Sequence, residues 1–574
     1  MDYAGDFGGR RDPSNDNVYR AKAPGRAMRR TKVTTAKRRT LAMIQLGTLG
    51  LFGALAATAC DPAPATVTEA AAVAQAAEAP PTAELVVDLD DQMTAAEIGQ
   101  LARRYHAHLV GYTSFSARDH LYRLLPTPQY QSPGSRQMSE LLAALRQDPH
   151  VEAADFAFTY QIPENAPTAL TRPSDEGLPA KVEGSALDDG GQRERFVPND
   201  PKYRYQWHLD QIRMPQAWSY SRGEGVTVAV VDTGVTQVED LQGTEFVPGW
   251  NFVDDGPDAR DDHGHGTHVA GTIAQTTHNG VGVAGVAYRA RIMPIKVLSA
   301  SGSGSINGIA QGIRWATDHG AQVINMSLGG PFNSQVLAKA VRYAHDHGVV
   351  VVCAAGNDGR GKVSFPAANP GAIAVAATQY DESTTFYSNW GREIFIAAPG
   401  GNTRIDQNND GLPDGVLQNT VTPGNIGKQD YLLFMGTSMA SPHIAGVAAL
   451  IVGQGVRNPE QVAALLQQTA RRPAQYRGKR DNHYGAGIVD AAAAVDAAHR
   501  MLVRRQMRAP IPQLRPLVDH PSCLCQESKS DDRLGLFGLG LLGLGAAGLG
   551  LMARRRRGAV VRTSESSIDE VGTL

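Results

Sequence analysis

Between about residues 199 and 500, short apolar runs alternate with longer segments that are rich in small residues. The runs contain many β-branched residues and are six to eight residues long, which predicts strands rather than helices. They read VTVAVVD, RIMPIKVL, QVINMSL, VVVVCAA and AIAVAA. Strands that are apolar on both faces, with helices between them, predict a parallel sheet covered by helices on both sides. The predicted fold class is therefore α/β.

Residues 83–160 show a different pattern, in which two amphipathic helical segments are separated by short strands. Thr94 and Glu97 have the spacing of a capping box, and the helix that follows them carries Leu101 on its apolar face. The segment RQMSELLAALRQDP predicts the second helix, and VEAADFAFTYQIP is the closing strand. The order of elements, βαββαβ, predicts a small α+β domain in front of the larger one.

Three segments have the composition of linkers. Residues 61–82 are rich in Ala, Pro, Thr and Glu, residues 161–198 in Pro, Gly and charge, and residues 501–533 in Pro. We therefore expect two folded domains, at 83–160 and 199–500. The 161–198 linker is suited to be an exposed segment that a protease can cut.

Residues 1–60 predict an export signal. Several arginines and lysines precede the apolar run 41–57, which ends in small residues before Cys60. The sequence ALAATAC resembles a bacterial lipobox, in which Cys60 would carry a lipid, and an ordinary signal peptide cut near Ala59 is the alternative. Both interpretations predict an exported protein that is extracellular or lies in the bacterial cell envelope.

The C-terminal region carries a second targeting pattern. Residues 534–552 form an apolar stretch of 19 residues, and four arginines follow at 554–557. Such a stretch is long enough to span a bilayer, and arginines are typical of a cytoplasmic flank. Together with the CLC motif before it, the segment also resembles C-terminal sorting signals of some Gram-negative bacteria, which are removed at export. We predict a transmembrane or sorting segment at 534–557, followed by a tail at 558–574.

Charge and cysteine content exclude some classes of function. The chain has 574 residues and a net charge of −2, which gives no reason to expect a nucleic acid partner. The spacing of its four cysteines matches neither a disulfide framework nor a four-cysteine zinc site. We expect a monomer in which Cys353 is a small core residue.

Polar residues with catalytic potential stand where predicted strands end or helices begin. VTVAVVDTGV ends a strand at Asp232, and VVVVCAAGN ends one at Asn357. HGTHVAGT begins at His265, and GTSMASPHIAG places Ser438 near the positive end of a helix. The chemistry of parallel sheets lies at the carboxyl ends of their strands. A carboxylate there is costly to bury without a partner, although a helix-capping aspartate is the alternative for Asp232.

The order Asp, His, Asn, Ser, with the motifs DTG, HGTHVAG, AAGN and GTSMASPH, resembles the subtilisin family of serine proteases (subtilases) over residues 199–500. The resemblance implies a serine endopeptidase with Ser438 as nucleophile and His265 as general base. Asp232 would orient His265, and Asn357 would stabilise the oxyanion. The domain at 83–160 is similar to the inhibitory propeptide of many subtilases, which implies a zymogen.

The same resemblance implies a groove that binds an extended peptide as an added strand. The sequence SLGG at 327–330 would form one wall and GSG at 302–304 the other. The implied substrate-binding residues are Ser303, Gly304, Ser327, Leu328, Gly329, Ala355 and Gly356. Such walls favour large apolar side chains in the substrate; without the resemblance, SASGSGS is a plain loop.

Three histidines within six residues, His263, His265 and His268, raise the alternative of a metal site. A metallohydrolase with the motif HxHxDH would need an aspartate where this chain has Thr267. We therefore expect no catalytic cofactor. By the resemblance His265 is the base, while His268 packs or hydrogen-bonds within its helix and His263 lies at the rim.

The sequence DQNNDGLPDG predicts a structural calcium site. It presents oxygen ligands at alternate positions, as in the first nine positions of an EF-hand loop, from Asp406, Asn408, Asp410, Leu412 and Asp414. No glutamate follows at the twelfth position, and a solvated acidic turn is the alternative. The family resemblance also suggests a second calcium site that involves Asp240 and Asn279.

These patterns together predict an exported serine endopeptidase that is made as a zymogen. Its expected partners are protein or peptide substrates, its own propeptide as inhibitor, and a membrane reached through the C-terminal segment or an N-terminal lipid. Two other classes remain as alternatives. One is a catalytically silent, surface-anchored binding module with the same fold, and the other is a zinc hydrolase.

Overall fold

The structure is a computed structural model that describes residues 83–127, 135–163, 195–478 and 480–508. The predicted export signal at 1–60, the linkers at 61–82 and 501–533 for the greater part, and the sorting segment and tail at 534–574 lie outside these residues. Within them, the elements up to residue 161 are β1 (Leu85–Leu89), α1 (Ala95–Arg104), β2 (Ala107–Gly111), α2 (Ser116–Asp119), β3 (Leu121–Pro126), α3 (Arg136–Leu145), β4 (Val151–Phe156) and β5 (Thr159–Gln161).

The remaining elements belong to the larger domain. Its strands are β6 (Thr227–Asp232), β7 (Trp250–Asn251), β8 (Arg291–Lys296), β9 (Ser303–Ser305), β10 (Val323–Met326), β11 (Val350–Ala354), β12 (Ala372–Thr378), β13 (Ile396–Pro399), β14 (Val416–Thr422) and β15 (Asn425–Phe434). Its helices are α4 (Trp207–Gln211), α5 (Met214–Ala217), α6 (His265–Ala274), α7 (Ile306–Asp318), α8 (Gln335–Asp346), α9 (Thr437–Gly453), α10 (Pro459–Thr469) and α11 (Ala491–Arg508).

The upstream domain is a small α+β unit, as predicted; its sheet is antiparallel, and a short helix, α2, lies between β2 and β3 where none was predicted. Four strands pair in the order β2-β3-β1-β4, and the capping box of Thr94 and Glu97 opens α1. The closing strand differs from the prediction, because the segment after Val151 divides into two strands. Of these, β4 pairs with β1, whereas β5 leaves the sheet and pairs with β9 of the larger domain.

A seven-stranded sheet forms the centre of the larger domain, in the order β13-β12-β11-β10-β6-β8-β7 with parallel pairing throughout. Successive residues of β6 point to opposite sides of it. Val228 and Val230 pack in the core that contains α6 and α9, whereas Ala229 and Val231 pack in the core that contains α7 and α8. Because both faces are covered, apolar residues at every position of the strand are buried, and the predicted α/β fold is confirmed.

The sheet brings the candidate catalytic segments to one edge. Asp232 ends β6, and α6 begins at His265 close to that strand end. A side chain at Gly266 would lie 2.1 Å from the Gly234 carbonyl oxygen and 3.2 Å from Asp232 Oδ1, so only glycine allows this approach. Asn357 follows β11, and Ser438 lies in the first turn of α9, which packs against α6.

The prediction that the chain is a transmembrane protein is corrected. In the part of the chain that the structure describes, none of the helices is both long enough and apolar enough to cross a membrane. The most apolar one, α9, has 17 residues and is buried in the protein core, while the 18-residue α11 carries arginines along its last turns. The 534–557 segment itself lies outside the described residues.

Candidate active site

Asp232 and His265 form a buried, hydrogen-bonded pair. His265 Nδ1 lies 2.7 Å from Asp232 Oδ1, and both side chains are almost fully inaccessible to solvent. The same carboxylate oxygen accepts a 2.7 Å hydrogen bond from the Thr233 N–H. An imidazole whose Nδ1–H donates to a carboxylate carries its lone pair on Nε2, so this contact orients His265 as a base.

Asp261 holds the start of α6 against the end of β6. Its carboxylate accepts hydrogen bonds from the Thr233 hydroxyl at 2.8 Å and from the Gly264 and Thr267 N–H groups at 2.9 Å. These bonds join the strand that ends in Asp232 to the helix that begins with His265. Asp261 is not among the residues predicted from the sequence; its only signal there is its position four residues before His265.

Ser438 is fixed by hydrogen bonds to the strand end at Ser327. The Ser438 hydroxyl donates to the Ser327 carbonyl oxygen at 3.2 Å, and the Ser438 carbonyl oxygen accepts from the Ser327 hydroxyl at 2.8 Å. Asn325 Nδ2 donates to Ser327 Oγ at 2.9 Å. Ser438 therefore lies beside one of the predicted walls of the groove, at the positive end of α9.

Thr437 sets the orientation of the Asn357 amide. Asn357 Oδ1 accepts from the Thr437 N–H at 2.9 Å and from the Thr437 hydroxyl at 2.7 Å. Because the amide oxygen faces Thr437, its NH₂ group points away from that residue and is oriented as a donor. Thr437 is also absent from the residues predicted from the sequence, although it stands directly before Ser438.

Replacing Asn357 with alanine is expected to lower kcat for peptide hydrolysis by about 10²–10³-fold, because the predicted oxyanion donor is removed. KM should change little, since this donor acts on charge that develops in the transition state. Steady-state kinetics on a chromogenic peptide measure both constants. Asn482→Ala, at an exposed position, is the control, and a fall of less than threefold in Asn357→Ala would contradict the assignment.

The predicted groove walls lie on either side of a strand of the chain itself. On one side β5 pairs antiparallel with β9, with Tyr160 opposite Gly304 and Gln161 opposite Ser303. On the other side the Gln161 N–H donates to the Gly329 carbonyl at 3.2 Å, and the Gly329 N–H donates to the Gln161 carbonyl at 2.9 Å.

The other residues predicted to bind substrate lie behind these walls. Leu328 is fully buried in the core on the α7 side. The Ala355 carbonyl accepts from the Ser364 N–H at 2.9 Å, and the Gly356 N–H donates to the Thr437 hydroxyl at 3.1 Å. Ala355 and Gly356 therefore join the strand end to the Asn357–Thr437 contact.

The three clustered histidines do not converge on one point. His268 Nε2 contacts the carbonyl oxygens of Val416 and Leu432 at 3.0 and 3.3 Å, and its ring stacks on Phe434. It therefore contacts the β14–β15 hairpin rather than its own helix, and burial lowers its pKa to about 3. His263 is half-buried, its ring centroid is 6.3 Å from that of His265, and burial lowers its pKa as well.

In the predicted calcium loop the carboxylates accept hydrogen bonds from the loop backbone. Asp406 accepts from the N–H groups of Asp410 at 3.2 Å and Gly411 at 3.1 Å, and Asp414 Oδ2 accepts from the Gln407 N–H at 2.6 Å. Asn408 donates to Asp410, whose other oxygen accepts from the Leu412 N–H. The second oxygen of Asp414 is buried and has no hydrogen-bond partner among the described residues. Over the same residues, no group of three or more His, Cys, Asp or Glu side chains is arranged to hold a metal.

Asp200 and Asp240 form a second acidic site with loop 277–283. Asp240 accepts from Asn279 Nδ2 at 3.1 Å and from the Val283 N–H at 2.8 Å. Burial raises the pKa of Asp240 to about 7 and raises that of Asp200. Two carboxylates buried near each other are costly without a cation, so their donor set fits calcium.

Comparisons with known proteins cover the domain that holds this site. The sequence model that describes the subtilase family of peptidases matches residues 223–487. Thermitase of Thermoactinomyces vulgaris is 40% identical over 277 residues, which are 48% of this chain and 92% of thermitase. Subtilisin Savinase of Lederbergia lenta is 41% identical over 292 residues, or 50% of this chain and 97% of that protein.

A solved structure is similar over a larger part of the chain. It is fervidolysin of Fervidobacterium pennivorans, described as a keratinolytic enzyme related to subtilisin. The TM-score is 0.57 at 27% sequence identity, and the similarity covers 73% of this chain and 61% of that one.

Proposed function

Because the chain belongs to the subtilase family of serine endopeptidases, we propose that it hydrolyses peptide bonds with Ser438, His265 and Asp232 as its catalytic triad. The observation that carries this proposal is the buried 2.7 Å contact between Asp232 and His265 at the edge where Ser438 also lies. Residues of these three types in this family act as nucleophile, base and orienting carboxylate.

Hydrolysis proceeds in two stages. In the first, Ser438 Oγ attacks the peptide carbonyl carbon while its proton passes to His265 Nε2 and then to the leaving amine. In the second, water attacks the acyl-enzyme and gives its proton to His265, which returns it to Ser438. Asp232 stabilises the imidazolium that forms in both stages, and the Asn357 NH₂ group donates to the oxyanion.

The substrate is a protein or peptide that binds in extended form between β9 and residues 327–329. Backbone groups at Ser303, Gly304 and Gly329 are those that pair with β5. Because backbone pairing is independent of side chains, it supports hydrolysis of many sequences. Leu328, Ala355 and Gly356 make the surroundings of the groove apolar, which favours substrates with large apolar side chains.

The upstream domain acts as an inhibitory propeptide in this proposal. Asp155 accepts from the Ser334 hydroxyl at 2.8 Å and from the Val336 N–H at 2.9 Å, so it caps α8 of the peptidase domain. Thr113 donates to Gln311 at 2.9 Å, and Lys339 pairs with Asp88 at 2.9 Å. These contacts, with β5 in the groove, support a zymogen that matures by cleavage between residues 161 and 198.

We place the mature enzyme outside the cytoplasm. The basic and apolar pattern of residues 1–60 supports export, with or without a lipid on Cys60. The C-terminal 534–557 segment is a sorting signal in this proposal. Among the similar proteins is the extracellular basic protease of Dichelobacter nodosus, at 34% identity over 374 residues.

Labelling by a fluorophosphonate together with casein hydrolysis tests the function. A serine endopeptidase is labelled in proportion to its activity, and both are expected to survive zinc chelation. A chain that is folded but neither labelled nor active would support the binding module. Activity that is lost on zinc chelation would support the zinc hydrolase.

In this proposal the protein binds calcium in a structural role and uses no catalytic cofactor. The 406–414 loop would hold one ion through Asp406, Asn408, Asp410, Asp414 and the Leu412 carbonyl. Burial raises the pKa of Asp414, and the charges of Asp406 and Asp410 raise it further, so a cation would relieve this repulsion. Asp200, Asp240 and Asn279 would hold the other.

Removal of calcium with EGTA is expected to lower the Tm by several degrees, because an ion at a hundredfold its Kd stabilises by about 2.7 kcal/mol. Scanning calorimetry with and without calcium measures the shift. Asp414→Asn and Asp240→Asn should each reduce it, whereas Asp258→Asn at an exposed position should leave it unchanged. If EGTA does not change the Tm, the calcium proposal is wrong. If only Asp240→Asn reduces the shift in Tm, the 406–414 loop is not a calcium site.

A further inference from the structure

The segment Thr159–Pro163 lies in the groove as the middle strand of three. Its register on the β9 side continues past β5, since the Ile162 N–H donates to the Gly302 carbonyl at 2.9 Å. On the other side, Gln161 and Gly329 exchange both of their backbone hydrogen bonds. The segment therefore occupies the place of a substrate, with hydrogen bonds to both walls.

Side chains prevent this segment from sliding along the groove. Tyr160 is fully buried, and its hydroxyl donates to the Phe332 carbonyl at 2.5 Å. Phe158 stacks on Phe332 with their ring centroids 5.0 Å apart. At Gly302 an added Cβ would lie 2.8 Å from Ile162 Cδ1, so the isoleucine fits against a residue that has no side chain. A slip by one residue would turn Tyr160 out of its pocket.

This register places Pro163 at the nucleophile. In an antiparallel pair, the positions that exchange hydrogen bonds recur every two residues. Continued by two residues, the register in which Gln161 is opposite Gly329 puts Pro163 opposite Ser327. The Ser327 carbonyl is the one to which the Ser438 hydroxyl donates at 3.2 Å. For a peptide bound in this register, the bond that follows position 163 is the one that Ser438 would attack.

Proline is unsuited to this position for two reasons. Any other residue would donate its N–H to the Ser327 carbonyl and continue the ladder, but proline has no N–H. Its ring also holds φ near −65°, away from the extended values that a strand requires. In place of the missing bond, the Ser327 carbonyl accepts the hydroxyl of Ser438, the group that must turn to attack.

We propose that Pro163 makes this groove-bound segment a substrate mimic that resists cleavage at its own 163–164 bond. Cleavage there would join Ser438 Oγ to the Pro163 carbonyl carbon, pass the hydroxyl proton through His265 to the Glu164 nitrogen, and break the C–N bond before water releases the acyl group. The N–H of the residue before the cut, donated to the Ser327 carbonyl, is the specificity contact that this step lacks. This inference rests on the proposed function, because it concerns a bond that the proposed protease does not cut.

Pro163→Ala in the full chain tests the proposal, because alanine restores both the N–H and the freedom of φ. Intact-mass analysis over time should show no product that begins at Glu164 from the wild type, and such a product from the variant at a rate at least about tenfold above the detection limit. Pro163→Ala combined with Ser438→Ala should give none. Cleavage of the wild type between 163 and 164, or equal rates in wild type and variant, would overturn the proposal.

A peptide series separates the missing N–H from other effects of the ring. Synthetic peptides with the sequence of residues 157–168, bearing proline, alanine or N-methylalanine at position 163, are incubated with the casein-hydrolysing wild-type enzyme. Cleavage after alanine alone is expected; equal cleavage of the alanine and N-methylalanine peptides would overturn the role of the Ser327 carbonyl. A preparation that neither hydrolyses casein nor is labelled by a fluorophosphonate would instead count against the proposed function.

Discussion

Replacing Ser438 with alanine is expected to lower kcat for peptide hydrolysis by about 10⁶-fold, because no hydroxyl remains to form the acyl-enzyme. The backbone should be preserved, since the Ser438 carbonyl still accepts from the Ser327 hydroxyl. A residual rate above that in water is expected from the oxyanion donors and from binding alone. Kinetics on a chromogenic peptide measure the loss, and fluorophosphonate labelling should vanish with it.

Ser441→Ala is the matched control for this variant. Ser441 lies on the same helix, and its hydroxyl is 2.8 Å from Ser327 Oγ, but it is not the proposed nucleophile. A loss of less than about tenfold is expected from one uncharged hydrogen bond. If Ser438→Ala keeps more than one per cent of the activity or is still labelled, another residue is the nucleophile.

Replacing Asp232 with asparagine is expected to lower kcat by about 10⁴-fold while KM stays nearly constant. The Thr233 N–H and His265 Nδ1 both contact Asp232 Oδ1, so asparagine places either its oxygen or its NH₂ group there. With the oxygen there, both contacts remain, but the negative charge that stabilises the imidazolium is lost. With the NH₂ group there, Nδ1 would have to accept rather than donate, so the imidazole proton would move to Nε2, the nitrogen that must take the serine proton. In both orientations the position and packing of the side chain are retained, and the stabilisation of the imidazolium is lost.

The same kinetic assay measures this second variant. Asp258→Asn serves as control because Asp258 is exposed and pairs with Arg260 outside the buried pair; its activity should equal that of the wild type. Circular dichroism should show the same fold for Asp232→Asn. A decrease of less than a hundredfold would mean that Asp232 is structural and does not orient His265.

The central sheet was predictable because its physical cause is local. Strands such as β6 are covered by helices on both faces, so their own residues are apolar at every position. The two-residue β7 has no such run, and the first five residues of β15 are exposed and include only one large apolar residue, Ile426, so the apolar pattern predicted neither strand. The strand β7 is held by β8, which lies about 45 positions later in the chain, whereas β15 forms a hairpin with the adjacent β14.

The residues of the site divide in the same way. Asp232, His265, Asn357 and Ser438 stand in motifs that can be read in one place. Thr437 acts on a residue 80 positions earlier in the chain, and its role appears only when the two segments meet. The division into β4 and β5 also depends on a distant segment, because β5 pairs with β9 of the larger domain and not with its own sheet.

The position of β5 also has a consequence for the order of synthesis. A chain is made from its N-terminus, so the groove-bound segment exists before either wall of its groove. Ser438 follows Pro163 by about 275 positions, which at 5–20 residues per second takes roughly 14–55 s. The walls are therefore completed around a segment that is already present, and Ser438, the proposed nucleophile, is added after both walls.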